Sequence, residues 1–309
     1  MAPSIHNTQP WHWRIHGAEA DLHLDPSRLL DVTDPDHRLA ILSCGTALHH
    51  VRLALAAEGW RSEISRLPDP SQPGHLARVR LTDRADPSPD AMQLVQAARV
   101  RHTDRRPVTA TPIDERTMGA VLAAVEAETA HLHLLKRDQV LTLAAAAASA
   151  QEAEKEDTSW VSELAYWTGG EQRPAGAGIP DTAIPERPTE TTVPSRDFGH
   201  HGTQPVSAEH DRAAVFGVLY GDGDDPEDWL RAGEALSAAW LLAEQQGVSV
   251  VPISAPVEVT TTRETIRQLL AGLGLPYLVI RFGVPDPGLP GPEYTPRLQT
   301  SQTVEIVEA

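Results

Sequence analysis

The chain has 309 residues, 40% of them hydrophobic, and a formal net charge of −17 at pH 7. Its length fits two ordinary domains or one large fold, and so acidic a surface repels the phosphates of nucleic acids and anionic membranes. Cys44 is the single cysteine, so no intrachain disulfide can form, and no secretory signal or membrane-spanning run is visible. We therefore expect a cytoplasmic protein.

The first part of the chain reads as a hairpin, a helix and a strand. Polar and apolar residues alternate over 11–24, which predicts two short antiparallel strands. Apolar residues recur at helical spacing over 38–59. Alternation returns over 76–81 and predicts a strand, after which 83–90 is a polar break that contains prolines.

The second part alternates between helical and strand patterns. Helices are predicted at 91–101, 114–127, 138–156 and 227–246, and strands at 131–135, 214–220, 249–253 and 278–282. Neither periodicity holds between 169 and 205, where Gly, Pro and Thr are frequent. A stretch of this length is typical of a lid or of disorder. We call residues 169–205 the lid segment.

A weak internal repeat links the two parts. The stretch that begins at Cys44-Gly45 and ends at Gly59 is similar to the stretch from Ala232-Gly233 to Gly247. Each contains an Ala/Leu-rich helix followed by a strand of Ile or Val. A repeat at this separation indicates a duplicated half-domain, although two Ala-rich helices that stop at glycine also match by chance.

The basic cluster Arg101-His102-Thr103-Asp104-Arg105-Arg106 needs a reason in so acidic a chain. Arginines at alternate positions, with a hydroxyl between them, can present guanidinium groups and an O–H donor to one phosphate. The alternative is a solvated basic turn, whose exposed arginines would contribute little to stability. The cluster alone leaves both interpretations open.

The segment Pro3-Ser4-Ile5-His6-Asn7-Thr8-Gln9-Pro10-Trp11 combines turn formers with amide side chains. Ser, Asn and Gln can hydrogen-bond to the polar rim of a flat heteroaromatic ring, while Pro and Ile cover its face. The alternative is a disordered segment that leads into the first strand.

Together, these two segments resemble the nitroreductase family of flavoproteins. Members carry an Arg-x-Ser/Thr-x-Arg/Lys phosphate motif and a Pro-Ser-x-x-Asn-x-Gln-Pro-Trp flavin loop. Residues 3–11 match the flavin loop without a gap, and 101–105 match the phosphate motif with Thr103 at the hydroxyl position. Two further matches are weaker: 247–255 is similar to the family's Gly-Leu-x-x-x-Pro-Ile segment, and Arg297 is similar to its C-terminal arginine.

The flavin loop precedes the phosphate motif, which reverses the order found in ordinary family members. Those members are homodimers with the flavin between subunits, so the resemblance implies a fused, single-chain pseudo-dimer similar to the Acg-like subfamily. Residues 1–90 would form the first half and 91–309 the second. The implied fold is α+β, nitroreductase-like, with a mixed or antiparallel sheet flanked by helices. Further oligomerisation is left open.

The resemblance implies one FMN per chain, because the sequence contains one complete set of motifs. The implied phosphate contacts are Arg101, His102, Thr103, Arg105 and Arg297. The implied ring contacts are Pro3, Ser4, Ile5 and Asn7 on one side and Pro252, Ile253, Ser254 and Ala255 on the other. The flavin carries the redox chemistry, so no side chain is assigned as catalytic.

Two functions follow from the resemblance. In the first, NAD(P)H reduces the flavin, which passes electrons to a nitroaromatic, a quinone or a similar small-molecule acceptor. In the second, the protein stores or sequesters flavin with little or no turnover. A lid segment folded over the flavin would block a nicotinamide ring. The helical apolar face of Trp160, Val161, Leu164 and Trp167 is placed to anchor the start of that segment.

No other chemistry is indicated. His131 and His133 share one strand face but lack a third ligand nearby, so we expect no metal site. Cys44 lies within an apolar helical pattern and is expected to be structural. Neither a Gly-x-Ser-x-Gly elbow nor a Walker-type loop occurs, which leaves acyl and phosphoryl transfer without support.

Overall fold

Strands and helices of the protein arrange as two β-sheets with helices packed between and around them. The computed structural model describes residues 2–169, 174–189, 191–206, 210–289 and 291–308. The first sheet contains β1 (Trp11–His16), β2 (Glu19–Leu24), β3 (Trp60–Arg66), β4 (His75–Arg84) and β9 (Val304–Ile306). The second contains β5 (His131–Leu134), β6 (Val215–Gly221), β7 (Ser249–Ile253) and β8 (Leu275–Gly283).

The helices fall into long and short groups. The longer ones are α1 (Arg38–Ala57), α2 (Pro89–Val100), α3 (Glu115–Ala127), α4 (Arg137–Glu156), α5 (Thr158–Trp167), α6 (Pro226–Gln245) and α8 (Thr260–Leu269). Two single-turn helices are α7 (Ala255–Glu258) and α9 (Thr300–Thr303). The α+β class is confirmed, and each helix and strand that periodicity predicted is present with ends shifted by a few residues.

The two sheets have the same internal order. The first runs β3-β4-β2-β1-β9 and the second, read from its far edge, runs β7-β8-β6-β5. Neighbouring strands are antiparallel in both, except that β9 joins β1 in parallel. In each sheet a long helix, α1 or α6, connects one strand pair to the other. The first sheet is therefore mixed and the second antiparallel.

The two sheets differ in one connection. In the first, β1 and β2 are joined by the two-residue turn Gly17-Ala18. In the second, the corresponding strands β5 and β6 are separated by α4, α5 and the lid segment. The lid segment is thus part of an insertion at a hairpin turn.

Helices α1 and α6 cross where neither has a side chain. A Cβ on Gly45 would overlap the carbonyl oxygen of Leu230, and a Cβ on Gly233 would overlap the carbonyl oxygen of Leu42. Glycine at both positions lets the two backbones touch. The same two glycines begin the repeated stretches of the sequence.

A buried ionic network lies along the same helix pair. Glu234 on α6 is fully buried and accepts hydrogen bonds from Arg52 on α1 and from Arg66 on β3, the latter at 2.8 Å. His49 and Ser237 also join the helices through a 2.8 Å hydrogen bond. A buried carboxylate needs such partners, so the network fixes how the two helices are aligned.

Helix α1 is long and apolar enough to cross a membrane by length and composition, alone among the described residues. However, 61% of its most apolar stretch is buried inside the protein. It packs on α6, α2 and the first sheet, as the central helix of a core does.

We predict that Gly45→Ala destabilises the protein by about 1–3 kcal/mol, because the new methyl group meets backbone atoms that cannot yield without separating the helices. Gly119→Ala on α3 is the matched control, because a Cβ there meets nothing within 4 Å. The control should be slightly stabilising, by about 0.5–1 kcal/mol. Urea unfolding of both variants tests this. Equal midpoints would mean that α1 and α6 do not touch at Gly45.

Candidate functional site

One cavity collects most of the residues that the sequence assigned to a flavin. Its volume is about 1070 Å³, including the part open to solvent. Nine of the thirteen predicted residues line it: Pro3, Ser4, Ile5, Thr103, Arg105, Pro252, Ile253, Ser254 and Ala255. Side chains of α1, α4 and α6 complete the wall. Three stretches that are distant in sequence therefore meet at one place.

The N-terminal stretch is held against α1. The backbone N–H of Ile5 donates to Ser43 Oγ at 3.0 Å, and Thr46 Oγ1 donates to the carbonyl oxygen of Pro3 at 2.7 Å. Ser43 and Thr46 are three residues apart on one helix and so lie on the same face. Their hydroxyls fix the backbone of the stretch at the cavity wall.

Asn7 lies outside the cavity lining, although the resemblance placed it at the flavin ring. Its Nδ2 donates to the carbonyl oxygen of Gly178 at 2.9 Å, and its Oδ1 accepts from Arg297 at 2.8 Å. Gln9 donates to the carbonyl oxygen of Gly176 at 2.8 Å. In this structure the two amides tie the N-terminal stretch to the lid segment and to the C-terminal stretch.

The loop that carries the phosphate motif is clamped by an arginine of β8. Arg281 donates to the carbonyl oxygens of Asp104 and Arg106 at 2.9 and 2.8 Å, and its own charge is paired with Asp211 at 2.8 Å. Arg106 forms a buried ion pair with Asp104 at 2.7 Å. Arg106 and Arg281 therefore hold the loop in shape.

Arg101 is buried, so the interpretation as a solvated turn is wrong for it. It is 5% exposed, and its guanidinium carbon lies 4.4 Å from the centre of the Trp240 ring. Burial and the nearby charge of Arg297 lower the pKa of Arg101 to about 9, and burial lowers the pKa of Arg297 to about 10. Neither arginine lines the cavity, nor does His102, whose Nδ1 lies 2.9 Å from the carbonyl oxygen of Val100.

Arg105 extends into the cavity wall. Its Nη1 donates to the carbonyl oxygen of Ala183 at 3.0 Å, and its guanidinium carbon lies 5.2 Å from the centre of the Phe198 ring. Burial and the charge of Arg196 lower its pKa to about 10. In the described part of the chain no carboxylate pairs with it, so its charge is available to an anion.

His6 also lines the cavity, and the motif comparison missed it because it stands at a variable position of the flavin loop. It is 6% exposed and adopts a left-handed backbone conformation with φ of 43°. Its Nε2 is buried without a hydrogen-bond partner among the described residues. Burial and the charges of Arg196 and Arg105 keep its pKa well below the ordinary value, so the ring is neutral.

Part of the lid segment lies against the cavity. The lining residues that it contributes are Val193, Pro194, Ser195, Arg196 and Phe198. A second cavity of about 730 Å³, open volume included, lies behind it and shares Gln151 and Phe198 with the first. We call these the inner and the outer cavity.

Helix α5 anchors the lid segment through three of the four residues predicted for that role. Trp160 and Leu164 pack with Ile179, Ile184 and Phe198 in one buried cluster. Trp167 packs in a different cluster, which contains Ala177 of the lid segment together with Leu30 and Leu298. Val161 is 46% exposed, so its assignment to the anchoring face is wrong.

One histidine cluster, around Asp21, was not predicted from the sequence. Asp21 accepts hydrogen bonds from Arg78 at 2.7 Å, from His16 at 2.7 Å and from His75 at 2.8 Å, and His23 stacks on His75 at 4.5 Å. Burial would raise the pKa of Asp21, but these bonds hold it well below the usual range. The geometry would admit a metal ion, yet the carboxylate already has its partners. The cluster came together because β2 pairs with β4.

Cys44 is fully buried, with its Sγ 3.4 Å from the carbonyl oxygen of Pro10. Burial raises the pKa of the thiol above its ordinary value. A thiolate nucleophile is therefore not available at this position.

Comparison with known proteins gives the family. No protein-family model matches the chain. A Mycobacterium tuberculosis H37Rv protein named "Putative NAD(P)H nitroreductase Rv3131" is 37% identical over 317 residues, which cover 99% of this chain and 89% of the relative. The chain belongs to this nitroreductase family. A second relative from the same organism, "Putative NAD(P)H nitroreductase acg", is 32% identical over 314 residues, 99% of this chain and 92% of the relative.

Solved nitroreductase structures are more distant. The FMN- and NADPH-dependent nitroreductase NfnB from sphigopyxis sp. strain HMH is 14% identical, with a TM-score of 0.44 over 69% of this chain and 97% of that one. A nitroreductase-like protein of Bacillus cereus is 15% identical, with a TM-score of 0.42 over 70% and 96%. The resemblance to the nitroreductases, first seen in the flavin loop, is confirmed by the mycobacterial relatives, Acg among them.

In this nitroreductase-family chain, the four predicted residues that lie outside the inner cavity are Asn7, Arg101, His102 and Arg297. Asn7, Arg101 and Arg297 form one basic corner, because Arg297 bonds to Asn7 and its charge acts on Arg101. Several lining residues that the motifs did not include carry polar groups, and Arg196 and His6 are two of them. The sequence indicates Arg196 only weakly, as an arginine within a segment rich in Gly, Pro and Thr.

Proposed function

We propose that this chain binds one FMN in the inner cavity and uses it to pass electrons from NAD(P)H to a small-molecule acceptor, of the nitroaromatic or quinone class. The observation that carries the proposal is the convergence of residues 3–5, of Thr103 and Arg105, and of residues 252–255 on one cavity. Its volume of about 1070 Å³, partly open to solvent, is ample for a ligand of this size. The same proposal places the protein in the cytoplasm.

Buried polar groups support a flavin phosphate at the basic corner. Burial and the nearby charge of Arg297 lower the pKa of Arg101, and the charge of Glu244 opposes this only in part. Arg297 Nε is buried and has no hydrogen-bond partner among the described residues. A phosphate dianion would neutralise both guanidinium groups and accept from them.

Other unsatisfied groups support a ring in the inner cavity. His6 Nε2 can hydrogen-bond to the polar edge of the flavin ring, and the positive charge of Arg105 would stabilise negative charge on a ring bound beside it. Bound FMN supplies the redox chemistry. The chain's own contribution is to orient the ring between the N-terminal stretch and residues 252–255 and to exclude water with the lid segment.

We infer further that the chain is a fused pseudo-dimer with halves near 1–90 and 91–309. The matching strand orders, the matching helices α1 and α6 and the Gly45–Gly233 crossing support this division. Strand β9 would then be a tail of the second half that pairs with the first. The phosphate motif belongs to one half and the flavin loop to the other, which yields a single complete site.

Flavin storage is a second candidate, and the lid segment favours it. Five of its residues line the inner cavity, and Phe198 separates the inner from the outer cavity. A segment in this position competes with a nicotinamide ring for the flavin face. The two functions therefore differ in how readily the segment moves.

We expect about one FMN per chain, because each half contributes only one part of the site. The measurement is flavin absorbance against protein concentration after purification, or titration of FMN into the protein. Two flavins per chain, or FAD in place of FMN, would contradict the single-site proposal.

Arg101→Ala and Arg105→Ala should each weaken FMN binding by about 1–3 kcal/mol, the range for hydrogen bonds to charged groups. Arg99→Ala is the matched control, because Arg99 is exposed on the last turn of the same helix that leads to the motif. Isothermal titration of FMN gives the affinities. If both site variants bind as tightly as the control, the motif does not contribute to FMN binding.

If the lid segment covers the flavin, reduction of the FMN-bound protein by NADPH should be slow, and replacing Pro194 and Ser195 by glycine should accelerate it. The change must spare 176–184, because Gly176 and Gly178 anchor the flavin loop. Thr192→Gly serves as control, since Thr192 is exposed and outside the cavity lining. Anaerobic stopped-flow absorbance follows the reduction. Rapid reduction of the unmodified protein, unchanged in the glycine variant, would exclude storage.

A further inference from the structure

Three charged side chains meet where the lid segment passes between the two cavities. Arg196 of the lid segment donates through Nη2 to both carboxylate oxygens of Glu258 on α7, each at 2.7 Å. Its Nη1 lies 3.7 Å from Glu154 Oε2 on α4. The side chains of Arg196, Glu258 and Glu154 are 10%, 1% and 4% exposed. A single guanidinium thus faces two buried carboxyl groups.

The position of Arg196 connects the lid segment to the proposed ring site. Arg196 lines the inner cavity, and its Nη2 also lies 3.3 Å from Ser254 Oγ, in the stretch predicted to contact the ring. Its guanidinium carbon lies 5.0 Å from the centre of the Trp160 ring on α5. Beside it, Gln151 Nε2 donates to the carbonyl oxygen of Ser195 at 2.9 Å. Arg196 is therefore a buried charged contact between the lid segment and three helices.

We propose that Arg196 is a positioning residue that latches the lid segment over the flavin cavity, and that the latch is most stable while the Glu154–Glu258 pair carries one proton. The inference rests on the proposed function and deepens it, because it identifies what controls access to the flavin. Glu258 is the carboxylate that pairs with Arg196. Glu154 is the acid that holds the proton.

Charge balance explains the proton. One guanidinium neutralises one buried carboxylate, and a second ionised carboxylate would leave a net negative charge out of water, which is costly. Burial and the neighbouring Glu258 raise the pKa of Glu154 to about 8, although the charge of Arg196 acts in the opposite direction. Glu154 Oε1 has no hydrogen-bond partner among the described residues, and Glu154 lines the outer cavity. That opening gives the proton a route to solvent.

The other charges around the latch do not replace this proton. His6 is neutral, and Arg105 is held away from Glu154 at the inner cavity. Asp34 at the start of α1 also feels Glu258; burial raises its pKa to about 7. The Oδ2 of Asp34 accepts a hydrogen bond from the backbone N–H of Ala40 at 2.9 Å, so this carboxyl group stabilises the first turn of α1. Lys155 pairs with Asp197 at 3.3 Å at the exposed rim.

The direction of the pH dependence follows from linkage. The closed form holds the Glu154 proton up to about pH 8, whereas an open, solvated Glu154 loses it near its ordinary value of 4.5. Closure is therefore most favourable below about pH 5, weakens as the pH rises to about 8 and is constant above that. A single proton changes the opening equilibrium by no more than about tenfold per pH unit.

Hydrogen–deuterium exchange of the backbone amides in 191–206, corrected for intrinsic rates, tests the latch on the purified protein between pH 5 and pH 9. In the unmodified protein, exchange should rise by up to about tenfold per pH unit to pH 8 and then level. In E154Q, which mimics the protonated acid, exchange should stay at the low-pH value throughout. The control E152Q changes an exposed acid of the same helix and should follow the unmodified protein.

R196Q should raise exchange in 191–206 at least tenfold at pH 6, with no change in α1 or α6. If R196Q leaves too much charge buried to fold, R196Q/E258Q removes the paired carboxylate as well, and the same rise is expected. Unchanged exchange in the arginine variant, or a pH slope that persists in E154Q, would overturn the latch; a persistent slope would assign the proton to Asp34. FMN titration of the same samples tests the proposed function independently of the latch. If FMN does not bind, the proposed function is contradicted, whereas the exchange rates still decide whether the latch exists.

Discussion

Direct backbone contact between α1 and α6 is the constraint on which the rest of the structure depends. Gly45 and Gly233 permit it, since any side chain at either position would overlap a carbonyl group of the other helix. With the helices this close, α1 contributes Ser43 and Thr46 to the inner cavity and α6 contributes Leu236 and Trp240. The cavity wall is thus built from both helices, and the buried Glu234 network holds their alignment.

The arginines around the cavity divide by how their charge is balanced. Arg106, Arg196 and Arg281 have carboxylate partners and shape the loop or the lid segment. Arg105 and Arg297 hydrogen-bond to neutral acceptors, respectively a carbonyl oxygen and Asn7. Because the first group is already neutralised, the second offers more positive charge to a ligand. The formal excess of acid over base in the chain gives no hint of this division.

Local patterns in the sequence predicted most helices and strands, and the flavin loop predicted the family. They missed α7, α9 and β9, which are too short for a periodicity, and α8, which begins with a run of threonines. Strand β9 exists because β1 offers it an edge, which is a tertiary cause.

The residues of the site could be predicted only where they are part of a sequence motif. Residues 3–5, Thr103, Arg105 and residues 252–255 lie at the inner cavity, while their roles toward FMN stay predictions. The burial of Arg101 could not be predicted, because no local pattern relates it to Trp240, which lies far away in the sequence. Arg196 and Glu258 are 62 residues apart, so no local pattern relates them.

The insertion between β5 and β6 also determines which part of the lid segment can move. Its first part is bound to the flavin loop, since Asn7 and Gln9 donate to the carbonyl oxygens of Gly178 and Gly176. Displacing that part would remove the partners that hold the N-terminal stretch at the cavity. The later part, 193–198, is held by Arg196 and by the contact of Gln151 with Ser195. Access to the cavity can therefore change by movement of the later part alone, and the flavin loop stays in place while it does.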